Sequence, residues 1–196
     1  MLRKDVTVYF VRHGETDWNA AYRYQGQRDI PLNDKGRGQA RRTGETLLLT
    51  LGDLKRLDYV SSPLSRARET MQIMRRVMGL PEHDFRFDNL LKEVHYGNWE
   101  GRLASDLEIQ DPEGVAARNR DPYGWRPIGG ESYADMMIRT DAWLSSITRD
   151  TIVTSHGGVS RTVRGRVLDL PSAEILRLEV PQDRVLVLRD GTMRWL

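Results

Sequence analysis

The sequence predicts an α/β fold: a three-layer sandwich with a mainly parallel central sheet flanked by helices and an antiparallel edge near the C-terminus. Three observations predict it. Short apolar, β-rich runs alternate with segments of helical periodicity along the 196 residues, as strand–helix crossovers do. Two of those runs end alike, in Arg12-His13-Gly14 and Ser155-His156-Gly157, and open α/β sheets bind ligands at the carboxyl ends of their strands. The last segment holds strand-like runs joined by Asp190-Gly191, a hairpin signal.

The elements follow in order. Residues 6–11 (Val-Thr-Val-Tyr-Phe-Val) carry no charge and read as a buried strand. Residues 12–33 form a polar, turn-rich loop. Asn33-Asp34 opens a helix to about residue 51, with Ala40, Leu47, Leu48 and Leu51 at helical spacing and Gly52 as its stop. Asp58-Tyr59-Val60-Ser61 is a short strand ending in Ser62-Pro63. Leu64, Ala67, Met71, Met74 and Met78 mark one face of the next helix, which stops at Gly79-Leu80-Pro81. Residues 86–99 are irregular or strand-like. Residues 102–130 hold Gly, Pro, Asp and several arginines with weak periodicity. They are expected to form a cap-like excursion over the active-site edge, within one domain spanning 1–196.

Tyr133, Met136, Met137, Thr140, Leu144 and Ile147 mark another amphipathic helix. Residues 151–155 are a buried strand, followed by a helix from Gly158 to about Leu168. Strands are expected at 175–180 and 184–189, the second turning through Asp190-Gly191 into Met193-Arg194-Trp195.

Composition narrows the function classes. Hydrophobic content of 39% and charged content of 30% suit a globular protein. No apolar run approaches the roughly 20 residues of a membrane helix. Met1-Leu2-Arg3-Lys4-Asp5 leads into a strand and does not resemble a signal peptide, so a cytoplasmic location without a membrane partner is expected. The absence of cysteine excludes disulfides, thiolate metal sites and cysteine nucleophiles. No His-x-x-x-His or Asp-x-Asp-x-Asp cluster points to a metal. A net charge of +2 and a pI near 9.0 are too mild to argue for nucleic acid. The basic residues are 26 Arg against 4 Lys. Guanidinium groups bind phosphate in a bidentate way, although solvated helix faces account for most of these arginines.

His13 is fixed between a strand and a Gly turn. A neutral imidazole is a good nucleophile toward phosphorus at pH 7, and the adjacent Arg12 would neutralise phosphoryl oxygens during attack. A buried structural histidine is the plain alternative. Arg66 falls early in the helix after Ser61-Ser62-Pro63, where side-chain charge and a helix N-terminus combine as an anion site. Arg68 points away and reads as a surface residue. Phosphoryl transfer also needs a proton donor for the leaving oxygen. Glu93, a lone carboxylate in an apolar, glycine-bounded stretch, is the best candidate, and Glu100 competes with it. His83 reads as a loop residue; His95, two beyond Glu93, is a weaker candidate for the site. Trp18, Trp99 and Trp125 suit either a pocket wall or the core.

These blocks together resemble the histidine phosphatase superfamily, also called the phosphoglycerate mutase-like family. The resemblance rests on Arg12-His13-Gly14-Glu15-Thr16 with Trp18-Asn19, Gln25 through Asn33 and Gly36. It continues in Ser61 through Ala67, Glu93 through Gly101, Gly129 through Ser132, and Ser155 through Val159. The blocks occur in the family's order and cover nearly the whole chain. The resemblance implies that His13 is the nucleophile and that Arg12, Arg66 and His156 surround the phosphoryl group. It implies that Glu93 is general acid and then base, and that Asn19, Gln25, Gly26 and the Gly157 amide bind phosphate.

It also implies no metal and no cofactor. The expected partner is a small phosphorylated metabolite or other phosphomonoester, and the expected assembly a monomer or homodimer. A phosphatase of the small branch is expected. The mutases of the family have a larger excursion after the Glu block, and shielding phosphohistidine from water needs such a cover. Glu93-Val94-His95-Tyr96-Gly97 looks somewhat like the mutase version of its block. A catalytically silent phospho-ligand-binding module is the third class. Arg102, Arg118, Arg120 and Arg126, with Tyr123 and Trp125, are expected to supply substrate contacts from the excursion.

Overall fold

A computed structural model describes residues 2–196; Met1, which opens the N-terminal segment considered above, lies outside the described residues. One six-stranded sheet runs through the chain in the order β3-β2-β4-β1-β5-β6. Its strands are β1 (Val8–Arg12), β2 (Asp58–Ser61), β3 (Arg86–Phe87), β4 (Thr151–Ser155), β5 (Val185–Arg189) and β6 (Thr192–Trp195). β1 to β4 are mutually parallel, while β5 runs antiparallel to β1 and β6 antiparallel to β5, which makes the predicted antiparallel C-terminal edge.

Alternation along the strands sorts side chains to two faces. Val8 and Phe10 of β1 pack on one face with Val153, Leu186 and Leu188, under α6 (Tyr133–Ser146) and α7 (Gly157–Val167). Val11, Tyr59 and Ile152 point to the other face, under α2 (Asp34–Thr50) and α3 (Ser65–Val77). Met71 and Met74 of α3 are fully buried there, and each such side chain removed from water contributes roughly 1.5–3 kcal/mol. The result is the predicted three-layer sandwich.

The helices begin where their sequences allow capping. Asn33 caps α2 through the Gly36 amide at 2.9 Å. Within the loop expected at 12–33, Thr16 and Asn19 form a reciprocal capping box for a short α1 (Asp17–Ala20).

Several expectations are corrected. The strand expected at 175–180 is absent. Pro171 instead starts a short helix, α8 (Ser172–Ile175), and the chain then runs irregularly to β5. Leu176, Leu178 and Val180 alternate as a strand would, yet the Leu178, Glu179 and Val180 carbonyls accept from arginine side chains, not from a neighbouring strand. Leu48 is exposed, not core, because Leu47 already fills the inward position of that turn. The weakly periodic 102–130 stretch forms two helices, α4 (Ala104–Gln110) and α5 (Pro112–Arg120). Trp99 anchors them by stacking on Trp125 and by donating to Asp111 at 2.7 Å.

Candidate active site

Sheet register builds the site. β1 and β4 pair in parallel with Arg12 opposite Ser155, and the His13 amide donates to the Ser155 carbonyl at 2.9 Å. The next residue on each strand is a histidine, so the two imidazoles leave the carboxyl edge side by side, 5.1 Å apart between ring centres. β2 lies on the other side of β4, and its exit runs through Ser62 into α3. Ser62 Oγ lies 2.8 Å from His156 Nε2, and Arg66, the second residue of α3, reaches His13.

The His13 ring has a defined tautomer. Nδ1 lies 2.7 Å from the Gly14 carbonyl, which can only accept, so Nδ1 carries the proton. Nε2 keeps its lone pair, and Arg66 Nε donates to it at 3.2 Å. Burial, reinforced by the Arg66 and Arg12 charges, holds the His13 imidazole well below its ordinary pKa of 6.5. His156 is lowered in the same direction, chiefly by burial. Both rings are therefore neutral at pH 7.

Two guanidinium groups flank His13, each held by backbone carbonyls, with Glu93 the carboxylate that acts most strongly on both. Arg66 is completely buried and donates to the Arg28 and Gly26 carbonyls at 2.8 and 2.7 Å. Burial lowers its pKa to about 10, which leaves it charged at neutral pH. Arg12 donates to the Val180 carbonyl at 2.6 Å, while its Nε is buried without a hydrogen-bond partner among the described residues. His156 Nδ1 is a second such group. Buried polar atoms of this kind call for an explanation, and a bound anion supplies one.

The remaining predicted residues converge on the same place. Arg12, His13, Asn19, Gln25, Gly26, Arg66, Glu93 and Gly157 all line one cavity of about 760 Å³, while His156, fully buried beside His13, is not part of the lining. Asn19 Oδ1 accepts from Gln182 Nε2 and from the Thr16 amide, and its Nδ2 lies 3.2 Å from the Gln25 side-chain amide. Gln25 satisfies both neighbours when its carbonyl faces Arg66, at 2.9 and 3.0 Å, and its amino group faces Thr16 Oγ1. Gly26 has φ +53° and offers its carbonyl to Arg66. Gly157 is the first residue of α7, so its amide lacks an intrahelical acceptor and sits at the positive end of the helix.

Glu93 is half-buried. Its Oε1 accepts from the Val94 and Gly158 amides at 2.9 and 3.0 Å, and its Oε2 lies 3.2 Å from the Gly158 amide. Glu100 does not reach the cavity. It clamps the Gln27 amide at 2.8 Å and pairs with Arg28 at 3.4 Å. His95 and the three tryptophans also lie outside the lining, and His83 and Arg68 are exposed as expected.

The excursion supplies only Ala104. Arg118 stacks over Tyr24 at 5.7 Å and Arg126 pairs with Asp135 at 2.7 Å, so the expectation of excursion arginines in the site is not met. The lining includes residues the sequence reading missed, notably Arg161, Gln182, Tyr96 and Tyr133. Arg161 follows Gly157 by four residues, one helical turn, and that spacing was the available signal. Gln182 carried none. Tyr133 was read as a core position, and burial does raise the pKa of both tyrosines. Among the described residues, no cluster of three or more His, Asp or Glu side chains could hold a metal ion, and no helix is long and apolar enough to cross a membrane.

Comparison with known proteins gives the family. The profile of the histidine phosphatase superfamily (branch 1) matches residues 8–195. The adenosylcobalamin/alpha-ribazole phosphatase of Salmonella typhimurium is 31% identical over 180 residues, covering 89% of this chain and 86% of the relative. A protein of Salmonella paratyphi C described as a probable phosphoglycerate mutase GpmB is 33% identical, covering 96% and 87%. The solved structure of a mycobacterial glucosyl-3-phosphoglycerate phosphatase, complexed with VO3, superposes with a TM-score of 0.79 at 28% identity, covering 97% of this chain and 96% of that one. The relatives support phosphatase activity, and the chain belongs to the histidine phosphatase superfamily, branch 1.

Proposed function

We propose that the chain is a metal-independent phosphomonoester hydrolase acting through a phosphohistidine on His13, with Glu93 as general acid and then general base. The observation that carries this reading is the His13 ring, neutral, with Nδ1 tied to Gly14 and the Nε2 lone pair turned toward Arg66. Such a ring is prepared to attack phosphorus and needs no proton removed first.

In the first step the His13 Nε2 lone pair forms the P–N bond as the bond from phosphorus to the ester oxygen breaks. The leaving alkoxide takes a proton from Glu93. Oε1 already accepts two amides, so the less engaged Oε2 carries that proton. Arg12, Arg66 and the Gly157 amide meet the phosphoryl oxygens, and with Ser62 Oγ donating to His156 Nε2 the His156 Nδ1–H joins them. Stabilisation of this kind supplies most of the catalysis in phosphoryl transfer. In the second step water attacks phosphorus and gives a proton to Glu93. The P–N bond breaks and its electron pair returns to Nε2. Arg12 and Arg66 take the charge-neutralising part that a metal cation plays elsewhere. The substrate is a small phosphorylated metabolite or other phosphomonoester, met in the cytoplasm.

One observation favours a second reading, a mutase that returns the phosphoryl group to another hydroxyl: the 33% identity to a protein described as a probable phosphoglycerate mutase. The test is hydrolysis of p-nitrophenyl phosphate in EDTA by wild type and His13→Ala. Activity that survives the chelator and disappears in the variant supports the proposal. Loss with EDTA overturns metal independence, and activity in His13→Ala overturns the nucleophile. Incubation with 3-phosphoglycerate separates the readings, since a hydrolase releases phosphate and a mutase forms the 2-isomer.

A further inference from the structure

Glu93 is the proposed proton donor, yet residues 93–96 belong to no helix or strand. A catalytic carboxylate on an irregular segment keeps its place only where the segment's backbone is tied to rigid elements. Ser155 Oγ, on β4, donates to the Leu91 carbonyl at 2.8 Å. Gln27 Nε2 donates to the Glu93 carbonyl at 3.0 Å. Arg139, on α6, donates to the Leu90 carbonyl at 2.6 Å and to the Glu93 carbonyl at 3.2 Å.

Glu131 completes the frame. Its carboxylate takes Arg139 in a two-point pair, Nε at 3.1 Å on Oε2 and Nη2 at 2.6 Å on Oε1. Oε1 also accepts from the His95 amide at 3.1 Å, and the Glu131 amide donates to the His95 carbonyl at 2.9 Å. Glu131 belongs to Gly129 through Ser132, a block of the family resemblance that places no residue in the cavity lining. The glycine before it allows the close approach: a Cβ on Gly130 would fall on the His95 carbonyl oxygen. Ser132 then caps α6 in a reciprocal box with Asp135, and Met136, Trp143 and Leu144 bury that helix in the core. Arg139 therefore stands on a fixed helix and holds a loop. All three of its guanidinium nitrogens are engaged, which a lysine cannot imitate.

We propose that Arg139 and Glu131 are positioning residues for the general acid. Through the Leu90 and Glu93 carbonyls and the two backbone groups of His95, they set where the Glu93 carboxylate stands. Both lie outside the cavity lining and act through Glu93 alone. The proposal rests on the reading of Glu93 as the acid.

The experiment reads the ratio of kcat/KM on glycerol 3-phosphate to kcat/KM on p-nitrophenyl phosphate, whose leaving group needs no proton. Glu93→Gln should lower that ratio by about 10²–10⁴-fold, the worth of general acid catalysis. Arg139→Gln should lower it by roughly tenfold to a hundredfold, since a displacement of about 1 Å costs on the order of 10²-fold. Arg139→Lys should recover part of the loss. Added to Glu93→Gln, Arg139→Gln should lower the ratio no further. An Arg139 that only stabilises the fold would depress both esters alike and leave the ratio unmoved. A ratio that falls in Glu93→Gln but not in Arg139→Gln overturns this proposal and spares the acid assignment. A ratio unmoved in Glu93→Gln overturns both. Should Arg139→Gln not fold, Glu131→Gln, which keeps an oxygen for the His95 amide, carries the same expectation. Amide exchange at Gly158 gives a reading independent of turnover. As the second residue of α7 it lacks an intrahelical acceptor, and it donates to Glu93. In Arg139→Gln it should exchange roughly tenfold faster relative to the amides of β1, the worth of about one hydrogen bond. An unchanged rate overturns the proposal even where no ester is hydrolysed.

Discussion

Gly158→Ala isolates the proposed proton donor without touching a titratable group. A Cβ at position 158 would fall on Glu93 Oε1 and come within 3.0 Å of Met136 Cε and 3.3 Å of Glu93 Cδ. The backbone there is the second residue of α7 and is fixed, so the carboxylate must swing away. A displacement of about 1 Å at a catalytic group costs on the order of 10²-fold, and general acid catalysis as a whole is worth about 10²–10⁴-fold. The variant should therefore lose roughly a hundredfold in kcat on an alkyl phosphate, whose leaving group needs the proton.

On p-nitrophenyl phosphate, whose leaving group does not need the proton, the first step should survive and the second should slow. Rapid-mixing measurements should then show a burst of p-nitrophenolate stoichiometric with enzyme. Stability should fall by about 0.5–2 kcal/mol. Alanine gains up to about 1 kcal/mol over glycine in a helix, against about 1.5–3 kcal/mol for a weakened amide–carboxylate contact. Alkyl phosphate turnover within about threefold of wild type, in a variant with unchanged circular dichroism, would refute the placement of Glu93 as the acid.

Two further predictions follow from burial and backbone geometry. His13 and His156 are both held well below 6.5, so as pH falls the unfolded chain takes up their protons first. The stability they contribute is present above pH 6.5 and is lost below it, at up to about 1.4 kcal/mol per pH unit for each ring. Urea midpoints should fall between pH 7 and 5, and His156→Asn should flatten that slope; a slope unaffected by the substitution would contradict the neutral-pair assignment. Gly26→Ala places a side chain at φ +53°, against the Glu100 carboxylate. It should cost at least about 1–2 kcal/mol and loosen the carbonyl that holds Arg66, raising KM as well; an unshifted urea midpoint counts against this.

What was legible in the sequence follows a physical division. β2, β4 and α3 lie within a residue or so of their expected bounds because sequence pattern and tertiary burial agree: the two strands are covered on both faces and read as short uninterrupted runs, and α3 turns one apolar face to the sheet. His13, Arg66 and His156 were legible because each sits at a strand exit or just beyond it, and strand exits meet at one edge whatever the rest of the chain does. The excursion was not legible. α4 and α5 bury few side chains of their own, Leu107 among them, and are held by Trp99 from outside, so their faces carry little period to read. Its arginines were therefore credited to the substrate when they serve the surface, as Arg126 does with Asp135.

The misread segment at 175–180 and the overlooked Arg161 are one error seen from two sides. Ile-Leu-Arg-Leu-Glu-Val alternates as a strand should, and a backbone needs hydrogen-bond partners wherever it is buried. A sheet neighbour is the usual source, and the sequence reading assumed one. Here the partners come from Arg12, Arg161 and Arg164, which reach the carbonyls of Val180, Leu178 and Glu179. The segment is thereby strapped across the edge where β1 and α7 present His13 and Gly157, and Gln182 at its end ties it to the His13 carbonyl at 3.2 Å. Had it formed a ladder with a neighbouring strand, those carbonyls would have been spent on amides, and Arg12 would have needed a carboxylate to hold it. A carboxylate there would compete with the phosphoryl group for the same charge. The irregular segment is what lets the site hold Arg12 and Arg161 in place with backbone carbonyls instead of carboxylates.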